Sequence, residues 1–296
     1  MTTTAFITHR DCWLHDMGAM HPECPDRLSA INDRLIAAGL DMYISFYDAP
    51  LAERAQITRV HPPEYLDSLL ENVPDHGIRH LDPDTAMSPG TMKAALRSAG
   101  AGVYATDLVM KGEIENAFCA VRPPGHHAER AKAMGFCFMN NVAIAARHAI
   151  DAHGLARVAV VDFDVHHGNG TQGIFYGRSD VLFVSLHLDP RAAYPFYAGH
   201  ADETGAGAGL GYTTNLPLED VTGGRAWVAT RYGGKPLTPE HGGPARLLVP
   251  HLYFWKSAKW IRQISFHEQD RPGFWESLGY HIHGDPWREQ RYDGDP

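Results

Sequence analysis

The feature that most constrains the fold is an apolar run that ends in a cluster of acids and imidazoles. Residues 157–172 have the sequence R-V-A-V-V-D-F-D-V-H-H-G-N-G-T-Q. The run at 158–161 predicts a strand buried on both faces of a parallel sheet. In open α/β sheets, ligands bind at the carboxyl ends of strands. The polar residues that follow the run therefore indicate a binding site.

Side chains two residues apart share a face of an extended backbone, so Asp162, Asp164 and His166 are expected to project together. A carboxylate and an imidazole are ligands that zinc takes in proteins. Asp164 and His166 are therefore a candidate zinc-binding pair.

A second polar cluster precedes this one along the chain. The R-P-P-G-H-H turn at 122–127 places His126 and His127 after a stiff backbone. Histidine is the usual general acid or base near neutral pH. Either motif alone would be common by chance in a structural role. Together they favour metal-assisted hydrolysis, in which an imidazole accepts the proton of an activated water.

These motifs, in this order, resemble the zinc-dependent histone deacetylase and acetylpolyamine amidohydrolase superfamily over residues 1 to about 218. The matching segments are H-P-E-C-P-D-R-L at 21–28, D-T-A-M-S-P-G at 84–90, R-P-P-G-H-H, G-F-C-F-M-N-N at 135–141, D-F-D-V-H-H-G-N-G-T-Q at 162–172 and V-S-L-H at 184–187. The segments D-P-R-A-A-Y-P-F-Y-A-G and D-E-T-G-A-G-A-G are closer to the acetylpolyamine and bacterial class II branch.

The resemblance implies a role for each matching residue. His126 and His127 would be the catalytic pair, oriented by Asp162 and Asn169. Asp164 and His166 would be two of three zinc ligands. The remaining implied positions are a substrate channel (Gly135, Phe136, Tyr194), a rim carboxylate (Asp84), a monovalent-cation site for an ion such as potassium (Asp162, Asp164, Ser185, Leu186) and an arginine near the inner cavity (Arg27).

The same resemblance implies an arginase-like α/β fold, a parallel sheet with helices on both faces. The pattern of alternating strands and helices agrees with that class. Strands are expected at 5–8, 117–121, 158–161 and 181–186, and helices at 28–38, 90–110 and 141–153. A further helix is expected to start within 61–70.

After residue 218 the chain departs from the family's pattern. The third zinc ligand, expected from a D-A-H-type strand end, and the catalytic tyrosine of a Gly-Gly-Tyr turn have no counterpart. The later aspartates, none of which follows a buried strand pattern, are Asp220, Asp270, Asp285, Asp293 and Asp295. Tyr280 stands in a different context, L-G-Y-H-I-H. The third ligand is therefore not identified, and activity stays open.

Residues 219–296 instead resemble the end of a sulfite-oxidase-type molybdopterin domain, which predicts a composite chain with a mostly-β second part. The match lies in K-P-L-T-P-E-H-G-G-P-A-R-L, K-S-A-K-W and D-R-P-G-F-W-E. It implies pterin or phosphate binding by His241, Arg246, Lys256, Ser257 and Lys259. The alternative is a basic, aromatic surface loop. All four cysteines lie before residue 138, so the family's molybdenum-binding cysteine has no counterpart.

Joining two incomplete domains is expected to leave unpaired strand edges and marginal stability. The formal net charge of −9 argues against a nucleic-acid partner and agrees with a cationic acylated amine or an acetyl-lysine peptide as substrate. With no C-x-x-C spacing, no signal peptide and no long apolar run, a cytoplasmic protein without membrane contact is expected.

The competing hypotheses are a zinc deacetylase, a molybdopterin oxidoreductase and an inactive ligand-binding remnant. The oligomeric state is left open.

Overall fold

The computed structural model describes residues 3–18, 21–218, 227–229, 231–232, 235–241, 243–248, 252–253, 256–260 and 271–295. The chain divides into two units, Met1–Leu218 and Glu219–Pro296. In the described residues, every helix is too short or too polar to cross a membrane.

The first unit alternates strands and helices. Its strands are β1 (Thr4–Thr8), β2 (Ile44–Asp48), β3 (Arg79–His80), β4 (Ala86–Met87), β5 (Asn116–Cys119), β6 (Val158–Asp162), β7 (Val181–Leu188) and β8 (Thr213–Leu218). Its α-helices are α1 (Asp26–Ala37), α2 (Arg54–Ile57), α3 (Pro63–Glu71), α4 (Thr91–Met110), α5 (Asn141–Asp151) and α6 (Asn169–Phe175). The predicted α/β class with parallel strands is confirmed.

The strands form two separate three-stranded parallel sheets rather than the single sheet that the sequence predicted. Their orders are β2-β1-β5 and β6-β7-β8, and β3 and β4 form a separate short antiparallel pair. Among the described residues, β5 and β6 pair with no strand on their outer edges. Phe118 on β5 is 52% exposed, and Phe163, just after β6, is 84% exposed. Two sheet edges that carry apolar side chains are thus left open.

Strand β6 also differs from the prediction in its burial. Val160 is buried, but Val161 is 58% exposed. A strand is buried on both faces only where neighbouring elements cover both faces, and β6 is here an edge strand. The apolar run therefore predicted the strand correctly, but its predicted burial on both faces was wrong.

The main core of the first unit packs α4 and α5 together with α3, α6, β6 and β7. Small side chains make α4 a good helix former and let other elements approach closely. Gly100 shows how closely, since a Cβ at this position would lie 2.1 Å from the carbonyl oxygen of Pro50. Phe138 and Ile144 are fully buried in the same cluster. This packing holds the start of α5 directly behind the turn that carries the two histidines.

The second unit contains short strands and single turns of 3-10 helix. β9 (Trp227–Ala229) pairs with β12 (Arg246–Leu248), and β10 (Arg231–Tyr232) pairs with β11 (Lys235–Pro236), both antiparallel. The Lys256 ammonium group donates hydrogen bonds to Glu276 and to the carbonyl oxygen of Ile282.

Candidate active site

The two catalytic candidates follow a turn that is fixed from behind. Arg122 is 1% exposed, and its Nη1 donates to the carbonyl oxygens of Cys12 and His15, each at 2.9 Å. On its other side the turn contacts the start of α5, where Asn141 Nδ2 donates to the carbonyl oxygen of Pro123 at 3.2 Å and the Asn140 side chain caps the helix by accepting from the Ala143 amide. The turn is therefore rigid on both sides.

His126 and His127 each have a polar partner, one at the end of β6 and one at the start of α6. His126 Nδ1 lies 2.9 Å from Asp162 Oδ2, and His127 Nδ1 lies 2.8 Å from Asn169 Oδ1. The two imidazole rings are 4.0 Å apart. The structure thus brings together the four side chains that the sequence assigned to this role.

The tautomer of His127 follows from the hydrogen bonds of Asn169. The Asn169 amide nitrogen donates to Glu129 Oε1 at 3.1 Å and to the Tyr197 hydroxyl at 2.9 Å, so its oxygen faces His127. That oxygen can only accept, so His127 Nδ1 carries the proton. The Nε2 lone pair of His127 is left available to take a proton.

The protonation state of His127 agrees with that role. Burial, reinforced by the neighbouring His126, lowers the pKa of His127 to about 3. The ring is therefore neutral at pH 7 and can act as a base.

Asp164 and His166 adjoin the histidine pair. His166 Nδ1 lies 3.4 Å from Asp164 Oδ1, and the amide nitrogen of His166 donates to the same oxygen at 2.8 Å. Burial opposes ionisation of Asp164, but the hydrogen bonds from His166 outweigh it and lower the pKa of Asp164 to about 2. An ionised carboxylate and an imidazole are thus adjacent, at side-chain exposures of 51% and 45%.

These two donors fit zinc in kind but not in number, because catalytic zinc ordinarily takes three protein ligands. In the part of the chain that the structure describes, the only group of three metal-type donors is Asp107, His148 and His153. Both His148 and His153 place Nε2 2.7 Å from Asp107 Oδ1. Among the residues that the structure describes, Asp164 and His166 therefore have no third donor beside them.

The Asp107 group does not supply a substitute site as it stands. Arg59 Nη1 lies 2.7 Å from His148 Nδ1, and arginine can only donate. His148 Nδ1 must therefore accept and cannot carry the proton that a neutral, Nε2-bound imidazole needs. The three side chains form a hydrogen-bonded set between α4 and α5.

A cavity of about 200 Å³ connects the predicted catalytic, metal and channel residues. Among the side chains that line it are His126, His127, Phe136, Asp164 and His166, together with Arg27, the predicted inner arginine.

Close approach to His127 explains the glycine in the wall of this cavity. Gly135 has a φ of +55°, and a Cβ there would lie 2.4 Å from the His127 ring. Phe136 also has a positive φ, and its ring lies 4.6 Å from that of His21. The Tyr194 ring is 4.9 Å from the His127 ring.

The rim is acidic. Asp84 Oδ1 accepts from the Gly135 amide at 3.2 Å, and Asp82 Oδ1 accepts from the Asp84 amide at 3.0 Å. Burial, followed by the charges of Asp84 and Asp82, raises the pKa of Tyr194. Two carboxylates near the channel tyrosine provide a negative potential at the entrance.

The predicted cation-site residues lie on neighbouring strands. Asp162 is directly opposite Ser185 in the β6-β7 register. The Ser185 hydroxyl is fully buried and lies 2.8 Å from His187 Nδ1 and 3.2 Å from His167 Nδ1. Leu186 follows on the same strand, and Asp164 lies two residues beyond β6.

The five residues predicted to bind a pterin lie in the second unit, and the structure describes all of them. His241 is exposed, with Nδ1 2.9 Å from the Thr238 hydroxyl, and Lys259 Nζ donates to the carbonyl oxygen of Glu240 at 3.1 Å. Arg246 lies on β12, and its buried Nε has no hydrogen-bond partner among the residues described. Lys256 is bound by Glu276, and Ser257 is adjacent to it.

Sequence analysis missed two residues of the site, Glu129 and Tyr197. The Tyr197 hydroxyl donates to Glu129 Oε1 at 2.7 Å, and both fix the Asn169 amide. Tyr197 stands in the Y-P-F-Y-A-G segment already noted, but only the folded contact reveals its role.

Comparison with known proteins extends the resemblance beyond short motifs. A family model described as the histone deacetylase domain matches residues 21–232, which reaches past residue 218. A crystal structure of the HDA15 HD domain superposes with a TM-score of 0.69 at 36% identity, covering 73% of this chain and 62% of that one.

Several curated proteins are similar to this chain. A histone deacetylase-like amidohydrolase of Pseudomonas aeruginosa is 42% identical over 200 residues, covering 68% of this chain and 52% of that protein. The polyamine deacetylase HDAC10 of Homo sapiens is 40% identical, covering 75% and 35%. The acetylpolyamine amidohydrolase of Mycoplana ramosa is 49% identical, covering 49% and 42%. The chain thus spans about half or less of the length of these relatives. The comparisons do not support the molybdopterin-type assignment of residues 219–296.

Proposed function

The chain belongs to the histone deacetylase family, and from that premise we propose that it removes the acetyl group from small acetylated amines. The observation that carries the proposal is the neutral His127, held by Asn169 beside His126 in the same cavity as Asp164 and His166. A base, a second imidazole paired with a carboxylate and a metal-type donor pair are the groups that amide hydrolysis uses.

The chain's own residues account for the proton transfers. His127 Nε2 takes a proton as water attacks the amide carbonyl carbon, and returns it to the amine nitrogen as the C–N bond breaks. Acetate and the free amine leave. Asp162 accepts a hydrogen bond from His126 Nδ1 and so holds that imidazole in place beside His127.

The acidic rim supports a cationic substrate. Asp84 and Asp82 lie near the Tyr194 phenol at the entrance, where they would hold a second ammonium group of a polyamine. Relatives named acetylpolyamine amidohydrolase and polyamine deacetylase point to the same substrate class. We therefore favour acetylated polyamines over acetyl-lysine peptides.

The metal in this proposal is zinc, which would polarise the amide carbonyl and activate water when bound at Asp164 and His166. The described residues supply two of the three protein ligands that catalytic zinc ordinarily takes. A monovalent cation near Ser185 and a cytoplasmic location are further proposals.

Acetate release from N-acetylputrescine and from an acetyl-lysine peptide, with zinc added, tests the function. Loss of the base in His127→Ala is expected to lower kcat by about 10²–10⁴-fold, whereas the exposed His76→Ala variant keeps the wild-type rate. In Asp84→Asn, KM should rise about 3-fold for N-acetylputrescine and stay unchanged for a neutral acetylated amine. Equal rates for wild type and His127→Ala would refute the proposal.

The molybdopterin alternative for residues 219–296 is not favoured. Internal hydrogen bonds already engage the ammonium groups of Lys256 and Lys259. The absence of fluorescent pterin from the purified chain is the expected result, and stoichiometric pterin would revive the alternative. The binding-remnant hypothesis predicts affinity for acetylated amines without acetate release, which the assay above separates from turnover.

A further inference from the structure

A second cavity, of about 280 Å³, is lined by residues of α5 and α6 and contains four arginines in its wall. They are Arg59, Arg130, Arg147 and Arg178. The other described residues that line it are glycines and apolar side chains, so none of the described lining residues is acidic. The cavity shares no lining residue with the active-site cavity.

Arg147 has unused hydrogen-bonding capacity at this cavity. Its Nη2 donates to Asp151 at 2.6 Å, but its buried Nε and Nη1 have no hydrogen-bond partner among the described residues. Its Nη1 lies 3.6 Å from Asp180 Oδ2, beyond hydrogen-bond length. Buried donors without partners are uncommon in folded proteins and call for an acceptor.

The local charge favours an anion. Arg178 is paired with Asp180 through Nε at 2.9 Å, and Arg59 Nη1 contacts the neutral acceptor nitrogen of His148. Arg130 is exposed at the edge of the cavity. Even after Asp151 and Asp180 are counted, the arginines leave an excess of positive charge on a chain whose formal net charge is −9.

We propose that this arginine-lined cavity binds a phosphate group, either orthophosphate or the phosphate of a small monoester. Guanidinium groups match phosphate oxygens in bidentate geometry, and these hydrogen bonds are stronger than neutral ones. The volume far exceeds the ~30 Å³ that one water molecule occupies in the liquid. Phosphate oxygens would satisfy the unpaired Nε and Nη1 of Arg147.

Titration calorimetry of the full chain in phosphate-free buffer tests the site, with orthophosphate and glycerol phosphate as separate probes. Saturable binding of at least one probe is expected. Arg130→Gln, which changes an exposed side chain, should weaken it about tenfold, corresponding to one charge-assisted hydrogen bond. Arg34→Gln, on an exposed position of α1, should leave the affinity unchanged.

The two variants distinguish binding at this cavity from binding elsewhere on the chain. Weakening in Arg130→Gln but not in Arg34→Gln supports the site. Absence of saturable binding of both probes, or the same affinity in both variants, overturns it. A Gly173→Leu variant, at a position with open space beside it, should also weaken binding by filling the cavity while all four arginines remain.

Discussion

Arg122 and Glu23 form a bidentate ion pair in the interior, with Nε 2.6 Å from Oε1 and Nη2 2.5 Å from Oε2. Both side chains are at most 3% exposed. The pair joins the H-P-E-C-P-D-R loop to the turn that carries His126 and His127. Two distant segments of the site are therefore held together by one buried contact.

Breaking this pair is predicted to destabilise the chain strongly. Glu23→Gln leaves the Arg122 charge buried without a counter-ion, so the free energy of unfolding should fall by about 3–5 kcal/mol. Urea denaturation measures the change. The matched control is Asp67→Asn, in the half-exposed Arg54–Asp67 pair, and it should change stability little. Similar losses in both variants would contradict a special role for the buried pair.

Asn169 is predicted to act by positioning His127. Asn169→Ala removes the acceptor that fixes the proton on Nδ1, so kcat should fall about 10–100-fold with little change in KM. Asn169→Asp keeps the acceptor for His127 but replaces the donor to Glu129 with a second carboxylate, so it should restore part of the rate, and its negative charge should shift the acid limb of the kcat profile to higher pH. An unchanged pH profile in Asn169→Asp would argue against this role.

His15 is predicted to make the fold sensitive to acid. Burial, only partly offset by Glu23, lowers its pKa from 6.5 to about 4. Below pH 6.5 the unfolded state binds a proton that the folded state does not, so stability falls as pH drops from 6.5 towards 4. The contribution lost across that window is about 3 kcal/mol.

Urea unfolding of wild type and His15→Gln across this pH range tests the assignment. Gln can keep the contact that His15 Nδ1 makes with the Thr91 hydroxyl at 2.8 Å. In the variant, the free energy of unfolding should fall less steeply with decreasing pH, and the difference in slope should correspond to the binding of about one proton. Identical slopes would show that His15 is not the titrating group.

The open edge of β6 is predicted to promote aggregation. Val161→Lys places a charge on this exposed edge, and charged edge residues hinder strand pairing between molecules. Light scattering during incubation should show slower growth than for wild type. Val109→Lys, at an exposed helical position, adds the same charge and should have less effect. If both variants slow the growth of light scattering equally, the net charge of the chain, and not the edge of β6, controls aggregation.

Sequence patterns predicted local structure well where the pattern is strong. The helix expected at 90–110 is observed as Thr91–Met110, and the strand expected at 158–161 as Val158–Asp162. Burial was predicted less well, because whether Val161 is covered depends on which strands lie beside it. The missing pairing partner of β6 cannot be inferred from the residues of β6.

The sequence predicted those residues of the site that lie within the recognised motifs. The partners of His126 and His127 lie at the positions that the family's motif order implies. The Glu23–Arg122 pair and the Glu129–Tyr197 contact were not predicted, because each joins segments distant in sequence through the fold alone. The third metal ligand is not found among the described residues either.

Zinc content, measured together with turnover of N-acetylputrescine, tests the central claim most directly. With Asp164 and His166 as the only two ligands among the described residues, the chain should lose zinc on dialysis to well below one ion per molecule. Turnover should return when zinc is added, and should be abolished in Asp164→Ala. Zinc retained equally by wild type and Asp164→Ala, or no turnover by wild type with zinc present, would contradict the account.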